Sequence, residues 1–282
     1  MNKVAIVTDT TVNLPMEYVD QLNINLVHQI LIWGDKTYRD LIDIQPEEFY
    51  QRLTTAKVMP STSQASIPEF KEVYGRLINA GYDILAMLVS EKLSGTIQSA
   101  MQAREDFPGA TIEIFDSAST SLAMGWQVVE VARAAQKGAG MADCLALAKQ
   151  TRKNTGVVFV VDTLEFLHRG GRIGGAARFL GTALGLKPVL ELVDGKIEPI
   201  ERVPTHRKAV NRMIEVVRER IGDRTPIKLG ILNANVLEKG RHLAERCKEV
   251  FKPAEMISNQ VSPVIGTHTG PGTLGIAYLA GV

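Results

Sequence analysis

Val4-Ala5-Ile6-Val7 is an unbroken apolar run that stops at Asp9-Thr10-Thr11, and Asn13-Leu14-Pro15 just beyond it supplies an N-cap with proline near a first helical turn. This pattern predicts a buried strand feeding a helix. Asn25 to Ile32, Ile84 to Val89 and Thr111 to Phe115 read as further strands, whereas Ile67 to Ala80 and Thr96 to Arg104 space their apolar positions as helices do. Strands alternating with helices predict a parallel sheet covered on both faces.

Met124 to Arg152 reads as two helices broken at Lys137-Gly138-Ala139-Gly140, after which Val157 to Val161 restarts the strand pattern. A domain boundary is expected near Asn154-Thr155-Gly156, dividing the chain into 1–154 and 155–282. The second part adds a strand at Lys228 to Leu232, a helix from Leu237 to Phe251, and short apolar runs at Val261 to Ile265 and Gly275 to Leu279. No internal repeat or low-complexity linker interrupts the pattern.

Composition narrows the class. The 282 residues suffice for one large or two medium domains, and 45% hydrophobic with 22% charged residues describes an ordinary globular chain. With 32 basic and 31 acidic residues well mixed, the net charge of +1 argues against nucleic acid as a partner. Cys144 and Cys247 lie about a hundred residues apart in helix-like stretches, which argues against a disulfide framework or a zinc site. Only four apolar residues follow Lys3 before Thr8, too few for a signal peptide, and no run reaches the length of a membrane span. A reducing cytoplasm is the expected compartment.

Two segments carry the candidate chemistry. Thr62-Ser63-Gln64-Ala65-Ser66 and Ser90-Glu91-Lys92-Leu93-Ser94-Gly95-Thr96 each place small hydroxyl residues just beyond an extended segment, where an α/β sheet holds anions. Neutral hydroxyls and backbone amides suit a carboxylate or phosphoryl oxygen. Neither segment offers paired carboxylates, metal-spaced Cys or His, or an adjacent Ser/His pair, so neither a metal nor a cofactor is expected. Asp9-Thr10-Thr11 lacks the second aspartate of a phosphoaspartate motif, leaving Asp9 a capping role or a place in a ligand cleft.

Gly270-Pro271-Gly272-Thr273-Leu274-Gly275 matches a dinucleotide fingerprint in form, yet only seven residues follow it, too few for the helix and acidic ribose partner that motif requires. Its glycines suit a tight turn beside His268, itself either structural or functional. Gly170-Gly171-Arg172-Ile173-Gly174-Gly175 sets one guanidinium among residues that permit close backbone approach, either as an anion fork or as a solvated arginine. Arg202, near Thr205-His206-Arg207-Lys208, extends a basic rim or a solvated face. Phe179 to Leu190, almost free of charge and rich in glycine, suits a core or an apolar tunnel.

Taken in order, Asp9 to Pro15, Thr62 to Ser66, Leu93 to Ala100, Gly170 to Ile173, Lys187-Pro188 and Gly266 to Gly272 resemble the DegV family over nearly the whole chain. The resemblance implies a two-domain α/β fold, an N-terminal parallel α/β sheet domain and a C-terminal α/β domain with a ligand cleft between them. It also implies one bound long-chain fatty acid and, in some members, presentation of that acid to a separate fatty acid kinase in phospholipid metabolism. Carried over by residue, Thr62, Ser94 and the backbone of Gly95 would hold the carboxylate. The C-terminal domain would hold the acyl chain, and Arg172, Arg202 and His268 would line the cleft mouth facing the kinase. On this reading the protein is a bacterial lipid carrier that catalyses nothing itself, a monomer whose contact with membranes is transient.

Two departures stand out. Ala65 replaces the family's usual proline, and Thr10 and Asn13 replace its usual serine and aspartate. Two other readings stay open. One is a phosphotransferase or hydrolase with Ser94 as nucleophile and His268 as base. The other is a small polar ligand binder like the dihydroxyacetone kinases of similar architecture.

Overall fold

The computed structural model describes residues 3–181 and 185–282. The chain begins with β1 (Lys3–Asp9), a 3₁₀ turn at Thr10–Val12, α1 (Met16–Gln21), β2 (Asn25–Val27), β3 (Ile30–Trp33), β4 (Lys36–Arg39), α2 (Pro46–Leu53) and β5 (Ser61–Ser63). It continues through α3 (Ile67–Asn79), β6 (Tyr82–Leu88), α4 (Thr96–Arg104), β7 (Ile112–Asp116), α5 (Ser121–Gln136) and α6 (Met141–Asn154). Then come β8 (Thr155–Val160), α7 (Glu165–Arg169), a second 3₁₀ stretch at Gly174–Phe179, β9 (Lys187–Val193), β10 (Lys196–Val203) and α8 (His206–Ile221). The last elements are β11 (Ile227–Asn233), α9 (Leu237–Phe251), β12 (Glu255–Gln260), α10 (Pro263–Thr269) and β13 (Leu274–Ala280).

Three sheets result. The order β2-β1-β6-β7 is wholly parallel, as the alternation of strands and helices predicts. Separate apolar clusters cover its two faces, one including Phe70 and Tyr74 of α3 and the other Trp126 of α5. The second sheet, β10-β9-β8-β13-β11-β12, is mixed: only β11 and β12 run parallel. The third, β4-β3-β5, is small and antiparallel.

The expected single strand from Asn25 to Ile32 is in fact two, β2 in the parallel sheet and β3 in the small one. Side chains break it: Glu69 Oε1 accepts the His28 N–H at 3.0 Å and Thr10 Oγ1 accepts that of Gln29 at 3.2 Å, taking the amides a ladder would use. The apolar run at Val261 to Ile265 leads into helix α10, whose N-cap Ser262 accepts from Ile265 N and whose first residue is Pro263. The β9–β10 hairpin turns through Asp194 and Gly195, both at positive φ, a dipeptide suited to that turn. Within Phe179 to Leu190, residues 182–184 lie outside the described residues. Leu180 and Gly181 are exposed, while Val189 and Leu190 of β9 are core.

Helix α5 organises the whole. Ser121 through Val129 are buried without interruption, the mark of a helix enclosed on all sides. It packs on β1 of the parallel sheet and on β8, β11 and β13 of the mixed sheet. One apolar cluster therefore runs from Val4 and Ile6 through Trp126 to Val157 and Ala277. The approach is close at Gly230 in β11, where a Cβ would lie 2.6 Å from Leu122 Cβ and 3.2 Å from Ala277 Cβ. Replacing Gly230 with valine is expected to lower unfolding free energy by about 1–3 kcal/mol, the usual cost of overpacking. A urea midpoint equal to wild type would contradict this.

Candidate functional site

The polar end of the site is built by two loops brought together from different sheets. Thr62 sits in β5 opposite Leu31 of β3, and its Oγ1 is hydrogen-bonded to His268 Nε2 of α10 at 2.7 Å. The loop that follows ends at Ser66, which caps α3 by accepting from Glu69 N. Ala65 in that loop is fully buried, so packing fixes the turn that proline would otherwise stiffen. Ser94 lies in the loop after β6, with its Oγ 2.8 Å from Thr96 Oγ1 and accepting from Thr96 N at 3.3 Å. Gln64 joins the two loops: its Nε2 donates to Ser99 Oγ at 3.4 Å, and its amide would meet any Cβ placed on Gly95.

Arg172 is a clamp rather than a solvated side chain. Its Nε donates to Leu93 O at 3.0 Å and its Nη1 to Gly170 O at 2.7 Å. Gly170 packs directly on the imidazole, where a Cβ would overlap His268 Nδ1. Gly270 and Gly272, both at positive φ, form a turn between α10 and β13, and Gly275 lies within β13. Arg202 stands elsewhere, on β10 opposite Pro188, with its guanidinium 4.7 Å from the Phe179 ring centroid. It does not border the cavity described next.

That cavity has two lobes. The first, about 80 Å³ as swept by the centre of a water-sized sphere, is bordered by Thr11, Gln29, Thr62, Ser94, Arg172 and His268 together with an apolar wall. The second, about 60 Å³ on the same measure, is bordered mainly by Val157, Phe159, Leu192, Leu232, Val261 and Gly275, and exposes no polar surface. Leu93, Thr120, Ile197, Ile265 and Thr269 border both, so the lobes adjoin. Thr269 and Thr273 keep their hydroxyls bonded to backbone carbonyls, while Ser121, which also borders this lobe, has a buried hydroxyl without a partner among the described residues. No described residue from Phe179 to Leu190 borders either lobe, so the apolar lining comes from strand faces and not from that glycine-rich stretch.

Comparison with known proteins decides the lineage. The DegV family model, described as "Uncharacterised protein, DegV family", matches residues 3–281. The chain belongs to the DegV family. A DegV domain-containing protein of Halalkalibacterium halodurans is 32% identical over 279 residues, covering 99% of each chain. A Thermus thermophilus DegV family protein whose solved structure is described as fatty acid binding superposes with a TM-score of 0.93 at 34% identity, covering 99% of both chains. DegV of Bacillus subtilis, described as a fatty acid binding protein, gives a TM-score of 0.90 at 29% identity, covering 99% of this chain and 100% of that one. The two-domain α/β fold is common to these relatives.

Against that DegV frame, the electrostatics are those of a neutral cradle. Burial, with the Arg172 charge adding to it, pushes His268 down to about 4, so the imidazole is uncharged near neutral pH. Its Nδ1 has no hydrogen-bond partner among the described residues, so no acid orients the ring. Asp9 is fully buried and caps the 3₁₀ turn by accepting from Thr11 N, while its other oxygen accepts from Val89 N at 2.8 Å. Burial raises its pKa, and the hydrogen bonds from Thr11, Val89 and Gln29 oppose the rise. Among the described residues no cluster of His, Cys, Asp or Glu could hold a metal, and no helix is long and apolar enough to cross a membrane.

The structure thus brings Thr62, Ser94, Arg172 and His268 to one lobe, with Gly95 next to Ser94, and leaves Arg202 apart. Ser94 and His268 are not bonded to each other: His268 pairs with Thr62 and Ser94 with Thr96. Sequence reasoning missed Gln29 as a site residue. Its signal was a polar pair, His28-Gln29, inside an otherwise apolar run.

Because His268 is held neutral below its ordinary pKa, the unfolded chain binds its proton more readily between about pH 4 and 6.5. Stability from this residue is fully present above that window and is lost as pH falls through it. His268→Gln is expected to remove this fall relative to wild type in urea titrations between pH 4 and 7, and identical slopes would refute the burial account. Gly170→Ala is expected to displace the imidazole and break the Thr62 contact, read as a changed His268 ring shift by NMR.

Proposed function

We propose that this protein binds one long-chain fatty acid, with its carboxylate on the Thr62 and Ser94 hydroxyls and the Gly95 N–H and its acyl chain in the apolar lobe. The observation that carries the reading is the cavity itself, hydroxyl-bordered at one end and free of polar surface at the other. Burying an acyl chain is worth about 0.8 kcal/mol per methylene, so a sixteen-carbon tail contributes roughly 11 kcal/mol gross. Hydrogen bonds to the carboxylate add about 1.5–3 kcal/mol each, and lost freedom on binding opposes both. Affinity comes from the tail and orientation from the hydroxyls. The fatty-acid-binding descriptions of the relatives from Thermus thermophilus and Bacillus subtilis support the same ligand class.

A carboxylate held by hydroxyls and amides is not neutralised by an ion pair, which keeps its oxygen nucleophilic. The protein hands this acid to a separate fatty acid kinase. There the carboxylate oxygen forms a bond to the terminal phosphorus of ATP, the bridging P–O bond breaks, and ADP leaves with the electron pair, giving an acyl phosphate. The bound protein supplies no catalytic group of its own. Separate partners for Ser94 and His268 support a carrier over a Ser94 hydrolase, and the apolar second lobe supports a lipid over a small polar ligand.

Mass spectrometry of an organic extract of the purified protein tests this. A long-chain fatty acid at about one per chain is expected, with Thr62→Ala plus Ser94→Ala weakening rebinding of palmitate by at least about tenfold. Protein that is empty and takes up no added palmitate would overturn the reading. Acyl phosphate formation is expected only when a fatty acid kinase and ATP are both added. Ser94→Ala is expected to slow it, and equal rates would sink the presenting role of Ser94.

A further inference from the structure

Gln29 is 2% exposed and sits in the break between β2 and β3, anchored on three sides. Its N–H donates to Thr10 Oγ1 at 3.2 Å, its carbonyl accepts from Asp40 N at 2.9 Å, and its Nε2 donates to Thr96 Oγ1 at 2.8 Å. The carboxamide nitrogen faces Thr96, so the amide donates along this line and Thr96 Oγ1 accepts.

Directionality follows from counting protons. Thr96 is fully buried, and its Oγ1 already accepts from Gln29. The hydroxyl's one other partner among the described residues is Ser94 Oγ at 2.8 Å, a contact in which either hydroxyl could donate, and that oxygen is the available acceptor for the Thr96 proton. Ser94 Oγ also accepts from Thr96 N at 3.3 Å. A hydroxyl oxygen has two lone pairs and one proton, so with both lone pairs engaged by Thr96, the Ser94 proton is the capacity left over. Ser94 borders the cavity, and that proton is what it can offer there.

We infer that Gln29 is a positioning residue that sets the direction of the Gln29–Thr96–Ser94 chain, so that Ser94 presents a donor and not a lone pair to the bound ligand. This rests on the fatty-acid reading above and deepens it, because a carboxylate is acceptor-only. Without the Gln29 amide, Thr96 Oγ1 gains a free lone pair, and Ser94 can turn its proton inward and face the ligand with electrons. An ionised acid then loses its donor and meets repulsion. A fatty alcohol, which both donates and accepts, is indifferent to the direction.

The test compares palmitate with hexadecanol in wild type, Gln29→Met, Thr96→Val and Thr96→Ser. Gln29→Met is expected to weaken palmitate about tenfold, the worth of one hydrogen bond to a charged group, with hexadecanol within about twofold of wild type, whereas Thr96→Val, which removes the lone pair Ser94 would turn to, is expected to keep palmitate within about twofold. The carboxyl titration of bound [1-¹³C]palmitate is expected to move to higher pH in Gln29→Met and not in Thr96→Val, since only the first turns the Ser94 donor away from the ionised form. Thr96→Ser, which keeps the hydroxyl, is expected to bind as wild type does, and Gln29→Glu, whose carboxylate would take the Thr96 proton and reverse the chain, decides the matter with the same expected loss of palmitate if Gln29→Met fails to fold. Equal weakening of both ligands with an unmoved carboxyl titration would overturn the role of Gln29 and leave the fatty-acid reading standing. Wild type that binds no palmitate would sink both.

Discussion

The burial of α5 between two sheets is the constraint on which the molecule depends. A helix that presents apolar surface all round must be enclosed, and here the parallel sheet encloses one side and the mixed sheet the other. The glycine at Gly230 removes the side chain that would hold the second sheet away from Leu122. With the sheets fixed through α5, Thr120 and Ser121 at its start border an apolar space that Val157, Phe159, Leu232 and Gly275 of the mixed sheet also border. The cavity is a by-product of how one helix joins two sheets.

The polar lobe depends on the same joint from the other direction. Asn13 Oδ1 accepts from Ser262 N at 2.9 Å, and Asp40 Oδ1 accepts from Val264 N at 3.2 Å, so buried polar groups from early in the chain hold the N-terminus of α10. Burial raises Asp40 to about 6, opposed by hydrogen bonds from Thr10, Val264 and Ser262. That anchored helix carries His268 to Thr62, more than two hundred residues away in sequence. Such buried groups are costly unless satisfied, and each satisfied one removes an alternative arrangement. The cradle is therefore a set of hydroxyls whose partners are decided before any ligand arrives.

Much of the fold was legible because its signals are local. The parallel sheet, the break between α5 and α6 at Lys137 to Gly140, and the restart of strands after Asn154 all follow from runs and breakers within a short window. The small β4-β3-β5 sheet was not legible, because its strands are short and its pairing of Leu31 with Thr62 spans a helix and a loop. The split of Asn25 to Ile32 turned on Glu69 and Thr10, neither of them adjacent in sequence. The Ser262-Pro263 start of α10 was a local signal that the apolar run around it concealed.

The sequence by itself determined the family, the class of fold and which hydroxyls stand at loop positions after extended segments, because those depend on residue type and near neighbours. Only the tertiary structure decided which of them meet. It joined Thr62 to His268, gave Ser94 to Thr96 instead of a base, turned Arg172 inward onto Leu93 and left Arg202 beside Phe179. It also drew the apolar lobe largely from strand faces, with no described residue of the glycine-rich stretch from Phe179 to Leu190, for which composition allowed a core or a tunnel. The reason is physical: hydrogen-bond partners and cavity walls are set by distances between elements, and those distances come from how the helix and sheets pack.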